Sequence, residues 1–125
     1  MAATDQRLPL DYTPDWIALG IVTAADIYRD EQGCATGDDP FPAHYRWRAF
    51  SRFIAAQPSL ASSLAHQLYA LGAADADHAM GGSIMAEVLR HRDCPHDLLH
   101  SALDSDRAHL HRIADQRLKN DDLNT

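Results

Sequence analysis

The chain has 125 residues, 46% hydrophobic and 7% aromatic, with a formal net charge of −7 and a pI near 5.4. That length reads as one domain, 1–125, burying about 65–70% of the surface its unfolded form exposes, so no disulfide or metal staple is needed. The acidity argues against sequence-independent binding to phosphate backbones, and the longest apolar stretch, Trp16 to Ala25, is too short to span a bilayer.

Residues 1–12 read as a polar, loosely held lead. Thr13-Pro14-Asp15 then starts a helix: a hydroxyl to cap, proline at the first helical position, an acid in the first turn. The apolar spacing predicts helix from 14 to about 31, with Gly33 as its stop. Gly33 to Pro42, with two glycines, two prolines and paired aspartates, predicts a loop in which Phe41 anchors the chain to the body.

A second helix is expected over 43–56, with Trp47, Phe50, Phe53 and Ile54 as its apolar stripe. Gln57-Pro58 ends it, because the residue before proline avoids helical torsions. Leu60, Leu64, Leu68 and Leu71 define the third helix, with Gly72 as a left-handed C-terminal cap. Over Ala73 to Gly82 either Asp75 or Asp77 caps a helix running through Gly81-Gly82, or the glycine pair breaks it. An irregular start at Asp77 and solid helix from Ser83 to about Arg92 fits best. Cys94-Pro95 opens a short helix carrying Leu98, Leu99 and Leu103. Asp104-Ser105-Asp106 caps the last, with Leu110, Ile113, Ala114 and Leu118 inward and fraying from Asn120 to Thr125. No segment alternates with a period of two, so the expected fold is all-α: a compact stack of five to six helices in a helical-hairpin arrangement.

The phrase at Pro58-Ser59-Leu60 recurs 37 positions later as Pro95-His96-Asp97-Leu98-Leu99, each followed by a leucine ladder and an Asp-rich break. The stretch Leu89 to Leu118 resembles one unit of the leucine-rich-repeat-variant and HEAT-like class. The matching residues are Cys94, Pro95, Leu98, Leu99, Leu103, Asp106, Arg112, Ile113 and Ala114. Residues 47–88 resemble the same plan through Pro58, Leu60, Leu64, Asp75 and Ile84. The spacing is nearer to HEAT-like helix pairs than to the shorter variant repeat. The resemblance implies stacked helical hairpins that present a surface to a protein partner.

Cys34 and Cys94 lie in unrelated segments without CxxC spacing, and the first residues, Met1 to Pro14, lack the basic and apolar regions of a secretory leader. Two reduced thiols in the cytoplasm are expected. Among the eight histidines, His96-Asp97-Leu98-Leu99-His100 has the spacing of the zinc-protease phrase H-E-x-x-H, which makes His96 and His100 candidate metal ligands. The shorter acid, the position after Pro95 and the lack of a third ligand beyond Asp104, His109 or His111 argue against it. Arg46, Arg48 and Arg52 with Tyr45 and Trp47 suggest a small basic-aromatic patch, in which Arg48 and Arg52 clamp a phosphate or carboxylate; a solvated face paired with local aspartates is the plainer reading. Asp38-Asp39 and Asp75/Asp77 read as turn and capping chemistry. With no phosphate-binding loop and no nucleophile elbow, no enzyme, cofactor or metal is expected.

The sequence therefore points to a small acidic cytoplasmic protein-binding module, of the bacterial immunity or antitoxin type that inhibits a toxin or effector. A generic helical-repeat adaptor and a metal-dependent enzyme using His96/His100 are the other readings. Asp38, Asp39, Asp75 and Asp77, with exposed Phe41 and Tyr45, are the expected partner-binding residues, facing a basic protein; neither nucleic acid nor membrane is an expected partner.

Overall fold

The structure is a computed structural model that describes residues 9–37 and 39–123. Among them are seven α-helices, one short 3-10 turn and no strand. The all-helical expectation holds, but the first expected helix is two. α1 spans Pro14–Ala18 and α2 spans Ala24–Ala35. Gly20 breaks the run with φ +81: its N–H bonds Ile17 O at 3.0 Å and Ile21 N–H bonds Trp16 O at 3.0 Å. That paired closure requires a left-handed residue just past the helix, which glycine supplies without a Cβ clash. Thr23 then restarts the chain in a reciprocal cap, accepting from Asp26 N at 3.1 Å while Asp26 Oδ2 accepts from Thr23 N at 2.9 Å.

Two compact units divide the chain at Ala56/Gln57. The first contains α1, α2, α3 (Pro42–Ala55) and the 3-10 turn Pro9–Asp11, which packs on α2 and α3. Its buried side chains include Tyr12, Trp16, Ile21, Val22, Ile27, Tyr45, Ala49 and Phe50. Of the expected loose lead, residues 1–8 lie outside the described residues, and the part that is described is tied down at two points. Tyr12 is fully buried and its hydroxyl donates to Asp30 Oδ2 at 3.2 Å; Arg46, itself buried, donates from Nη1 to Leu10 O at 3.0 Å. Those bonds hold Leu10 and Asp11 at φ 62 and 65, a conformation that L-residues rarely adopt. α2 runs past the expected stop: Gly33 lies inside it, where a Cβ would sit 2.9 Å from the Tyr45 hydroxyl, and Gly37 at φ +83 follows its end.

The second unit contains α4 (Ser62–Ala73), α5 (His78–Arg90), α6 (His96–Leu103) and α7 (Ala108–Leu123). α4 packs on α5, α6 on α7, and α5 on α7. α5 is the central helix, burying Met80, Ile84, Met85, Ala86, Val88 and Leu89. Gly72 departs from the expected cap, and of the two readings of Gly81-Gly82 the structure has the helix that Asp77 caps and that runs through the pair, in place of the favoured irregular start before Ser83. Gly72 does not cap α4 but lies within it, and Gly81-Gly82 continue α5 from a start at His78, capped by Asp77 Oδ1 accepting from Met80 N at 3.0 Å. Gly72 and Gly81 meet backbone to backbone: a Cβ on Gly72 would lie 2.8 Å from Gly81 O, and one on Gly81 would strike Gly72 O. The two helices approach to a distance that only glycine permits.

Leu68, Leu99, Leu110 and Ala114 are fully buried, as the leucine ladders predict, while Leu64, Ile113 and Leu118 are half-buried. α7 continues through Asn120 to Leu123 where fraying was expected; residues 124–125 lie outside the described residues. The C-terminus of α5 is held by Arg117 of α7, whose Nη1 donates to Leu89 O at 2.6 Å and His91 O at 2.8 Å. The next three residues clasp the start of this unit. His91 Nε2 donates to Gln57 O at 2.8 Å, Arg92 Nη2 to Pro58 O at 2.6 Å, and Asp93 Oδ2 accepts from Leu60 N at 3.0 Å. His91 Nδ1 accepts from Asp93 N at 3.0 Å, which fixes the proton on Nε2. None of the described helices is long and apolar enough to cross a membrane.

Candidate docking surface in the first unit

The turn between α2 and α3 is short, and its conformation is set by one carboxylate. Asp39 accepts from Phe41 N at 3.2 Å, from His44 Nδ1 at 3.1 Å and from Arg48 Nη1 at 3.0 Å. His44 and Arg48 are four residues apart on α3, so both side chains turn back to the loop from one helical face. Partial desolvation works to raise the Asp39 carboxyl, but the bonds from Arg48, the Phe41 N–H and His44 outweigh it and hold it below the ordinary 3.8. Pro40 is fastened too, its carbonyl accepting from Cys34 Sγ at 3.5 Å.

This scaffold lifts Phe41 into water. The ring is 60% exposed, flanked by Pro40 and Pro42, and braced by the His44 imidazole at a centroid distance of 5.2 Å. Its carbonyl accepts from His44 N at 3.1 Å, so the backbone on both sides is fixed. The expectation that Phe41 anchors the loop to the body is thus reversed: Asp39 anchors the loop, and Phe41 projects from it. Tyr28 on α2 (65%) and Ile17 on α1 (41%) are the other large apolar side chains that the described residues leave exposed, and both belong to this unit.

The expected partner-binding residues fall into three groups. Asp39 and Phe41 share this loop, whereas Asp38 lies outside the described residues. Tyr45 is buried, not exposed: its ring lies under the Arg48 guanidinium at 4.6 Å and its hydroxyl faces Gly33. Desolvation first, then the charge of Asp39, raises its ionisation above the ordinary 10.0. Asp75 and Asp77 sit in the second unit, where Asp75 accepts from Asp77 N at 2.8 Å and Asp77 caps α5. Asp39, Asp75 and Asp77 therefore spend their charge on local backbone and side chains.

The basic-aromatic patch separates in the same way. Arg46 is buried, Arg48 is bound to Asp39, and Arg52 lines an open hollow of about 550 Å³ with Asp26, Arg29 and Asp30. Arg29 is paired there with Asp26 at 3.2 Å.

The H-D-x-x-H phrase is turned to two different neighbours. His96 Nε2 bonds Asp121 Oδ2 at 3.0 Å on α7, and Asp97 Oδ2 bonds His66 Nε2 at 2.6 Å on α4; His100 is exposed. His66 Nδ1 also meets Ser62 O at 2.7 Å, so both ring nitrogens face acceptors and the imidazolium is the form that satisfies them. The Ser62 carbonyl and then Asp97 raise this histidine above its ordinary 6.5. Among the described residues no three His, Cys, Asp or Glu side chains are grouped to hold a metal ion. Both cysteines are free; Cys94 is buried, which pushes its thiol up to about 11.

Sequence reasoning missed the role of His44, whereas the pairing of Arg48 with Asp39 is the plainer reading of the basic-aromatic patch, a face paired with local aspartates. It also missed Arg117, His91 and Arg107, whose work is to bind backbone carbonyls, which no side-chain pattern reveals. Compared with protein-family models, curated proteins and solved structures, the chain matches none.

Proposed function

We propose that this chain is a protein-binding module whose docking anchor is Phe41. The observation that carries the reading is the pairing of a large, water-exposed ring with a loop rigidly clamped beneath it by Asp39, His44 and Arg48. An exposed aromatic loses apolar burial in the free protein, and a pre-ordered loop reduces the entropy lost when that ring enters a partner's pocket. The net charge of −7 favours a basic partner and fast, salt-sensitive association. Within that class, an immunity or antitoxin-type inhibitor that acts by covering a toxin or effector is our specific reading, with binding rather than catalysis as its work. The adaptor reading is supported by the packed pairs α4–α5 and α6–α7, which resemble stacked hairpins.

The test is site-specific photo-crosslinking in the native cell from position 41, with exposed Gln116 on α7 as the control position. A protein crosslinked from 41 and not from 116, and lost on Asp39→Ala, supports the assignment. Equal capture from both positions overturns it. Protection of cells from the product of a neighbouring toxin gene, abolished by Phe41→Ala, separates the inhibitor from the adaptor.

A further inference from the structure

We infer that the cleft between the first turns of α5 and α7 in the second unit binds a small tetrahedral oxyanion, either free phosphate or the phosphoryl end of a small monoester. The cleft has a volume of about 310 Å³ and is lined by His78, Ala79, Gly82, Asp106, Arg107 and His109. It is at the small end of ligand pockets, larger than one ion and matched to a compact monoester.

Two of its cationic or ionisable groups are locked in place. Arg107 Nη1 donates to His78 O at 2.8 Å, and His109 Nε2 donates to Gly82 O at 3.2 Å. Gly82 makes that possible, since a Cβ there would lie 2.8 Å from Arg107 Nη1 and 3.2 Å from His109 Cε1. Each group spends one donor on α5. The rest of the Arg107 fork bonds no other described residue, and His109 Nδ1, an acceptor while Nε2 carries the only ring proton, becomes a donor in the imidazolium form. His78 adds a third group, an exposed ring that makes no hydrogen bond to the described residues. The remaining Arg107 donors and the His78 ring around a small hollow, joined by His109 in its imidazolium form, are the donor set that oxyanions use.

Asp106 also lines the cleft, exposed and more than an ion-pair distance from Arg107, and it opposes an anion. This gives the proposal its sharpest test, because removing that charge has opposite effects on anions and cations. The acidity of the chain as a whole is screened over about 10 Å at ordinary ionic strength, so the groups within the cleft decide its preference.

The experiment follows the imidazole C–H signals of all eight histidines by NMR during titration with inorganic phosphate, and separately with glycerol 3-phosphate, at constant ionic strength. The expected result is saturable movement of His78 and His109 while exposed His100 stays still. Arg107→Lys should weaken binding about tenfold through loss of the planar fork. His78→Ala, which removes a side chain with no structural bond, should weaken it about threefold, and Asp106→Asn should tighten it by a similar factor. Tighter binding of the monoester identifies an organic phosphate as the ligand, and equal binding identifies the free ion. No saturable movement with either probe, movement shared by His100, or weaker binding in Asp106→Asn overturns the proposal.

Discussion

The two units are held by different devices. In the first, short helices are begun and ended by local chemistry: the Thr23–Asp26 cap, the closure at Gly20, and the Asp39 clamp. Only a few long side chains, Tyr12 and Arg46 among them, tie its elements together. In the second, α5 packs on α4 through backbone-level contact at Gly72/Gly81 and also on α7, and cationic side chains bind carbonyls across helices. Among the described residues the first unit displays the large exposed apolar side chains, while the second buries its own and carries the polar cleft between α5 and α7. A unit built from local caps can hold an irregular loop in a chosen shape, whereas close helix packing leaves little freedom for display.

The comparison is broken most directly by one substitution made in both units. Gly81→Ala in α5 drives a methyl group into the Gly72 carbonyl, backbone that cannot step aside without separating α4 from α5. We expect a loss of about 3 kcal/mol, the upper range for overpacking, seen in the amide exchange of α4 and α5. Gly20→Ala meets open space, so its cost is the left-handed backbone alone, about 1–2 kcal/mol. Trp16 and Trp47 both lie in the first unit, so fluorescence follows that unit. If Gly81→Ala proves the milder of the two, the glycine contact is not what sets the α4–α5 distance.

Next in size is Arg117→Met, which keeps the aliphatic stem and removes the donors from Leu89 O and His91 O. The two carbonyls at the end of α5 then lose their partner, at a cost of about 2 kcal/mol by denaturant titration. Tyr12→Phe in the first unit removes one hydroxyl bond to Asp30 and should cost about 1 kcal/mol. Thr23→Ala, which opens the reciprocal cap of α2, belongs in the same range at about 1 kcal/mol.

Much of the second unit was legible because its leucines repeat at helical spacing and Pro95 stands at the start of α6, although α4 begins at Ser62, four residues beyond Pro58. Leu68, Leu99 and Leu110 are buried where those patterns put them. The misreadings concentrate at glycine, whose two uses look alike in a sequence. Gly20 and Gly37 end helices by turning left-handed, while Gly33, Gly72, Gly81 and Gly82 lie within helices and admit a neighbour. Which use applies depends on what the fold brings opposite. The same holds for charge. Asp39, Asp75 and Asp77 read as turn and capping residues and are so used, but the same acids were also expected to face a partner, and they are committed to donors that lie two to nine positions away. Phe41 was singled out as a loop residue, but whether its ring faces the body or water is fixed by His44 and Arg48.

The smallest expected effect separates the units by pH. In the second, His66 is raised by the Ser62 carbonyl and Asp97, and Asp97 is lowered chiefly by His66. A raised histidine contributes stability that is complete below its ordinary 6.5 and is lost as pH climbs through its higher folded value; a lowered carboxyl contributes above its ordinary 3.8 and loses that as pH falls through its lower folded value. The pair therefore acts fully only between those two ordinary values. Both groups are exposed, so the gain is small and screened by salt. In the first unit, Asp26 and Asp39 are lowered by the Thr23 N–H and by the Arg48 clamp, so their contributions fade only on the acid side. Raising pH from about 6 to about 9 should thus loosen amide protection at the α4–α6 contact without altering tryptophan fluorescence, and His66→Gln should remove that dependence. An alkaline loss that persists in His66→Gln would place the titrating group elsewhere and detach the His66–Asp97 bond from the stability of the second unit.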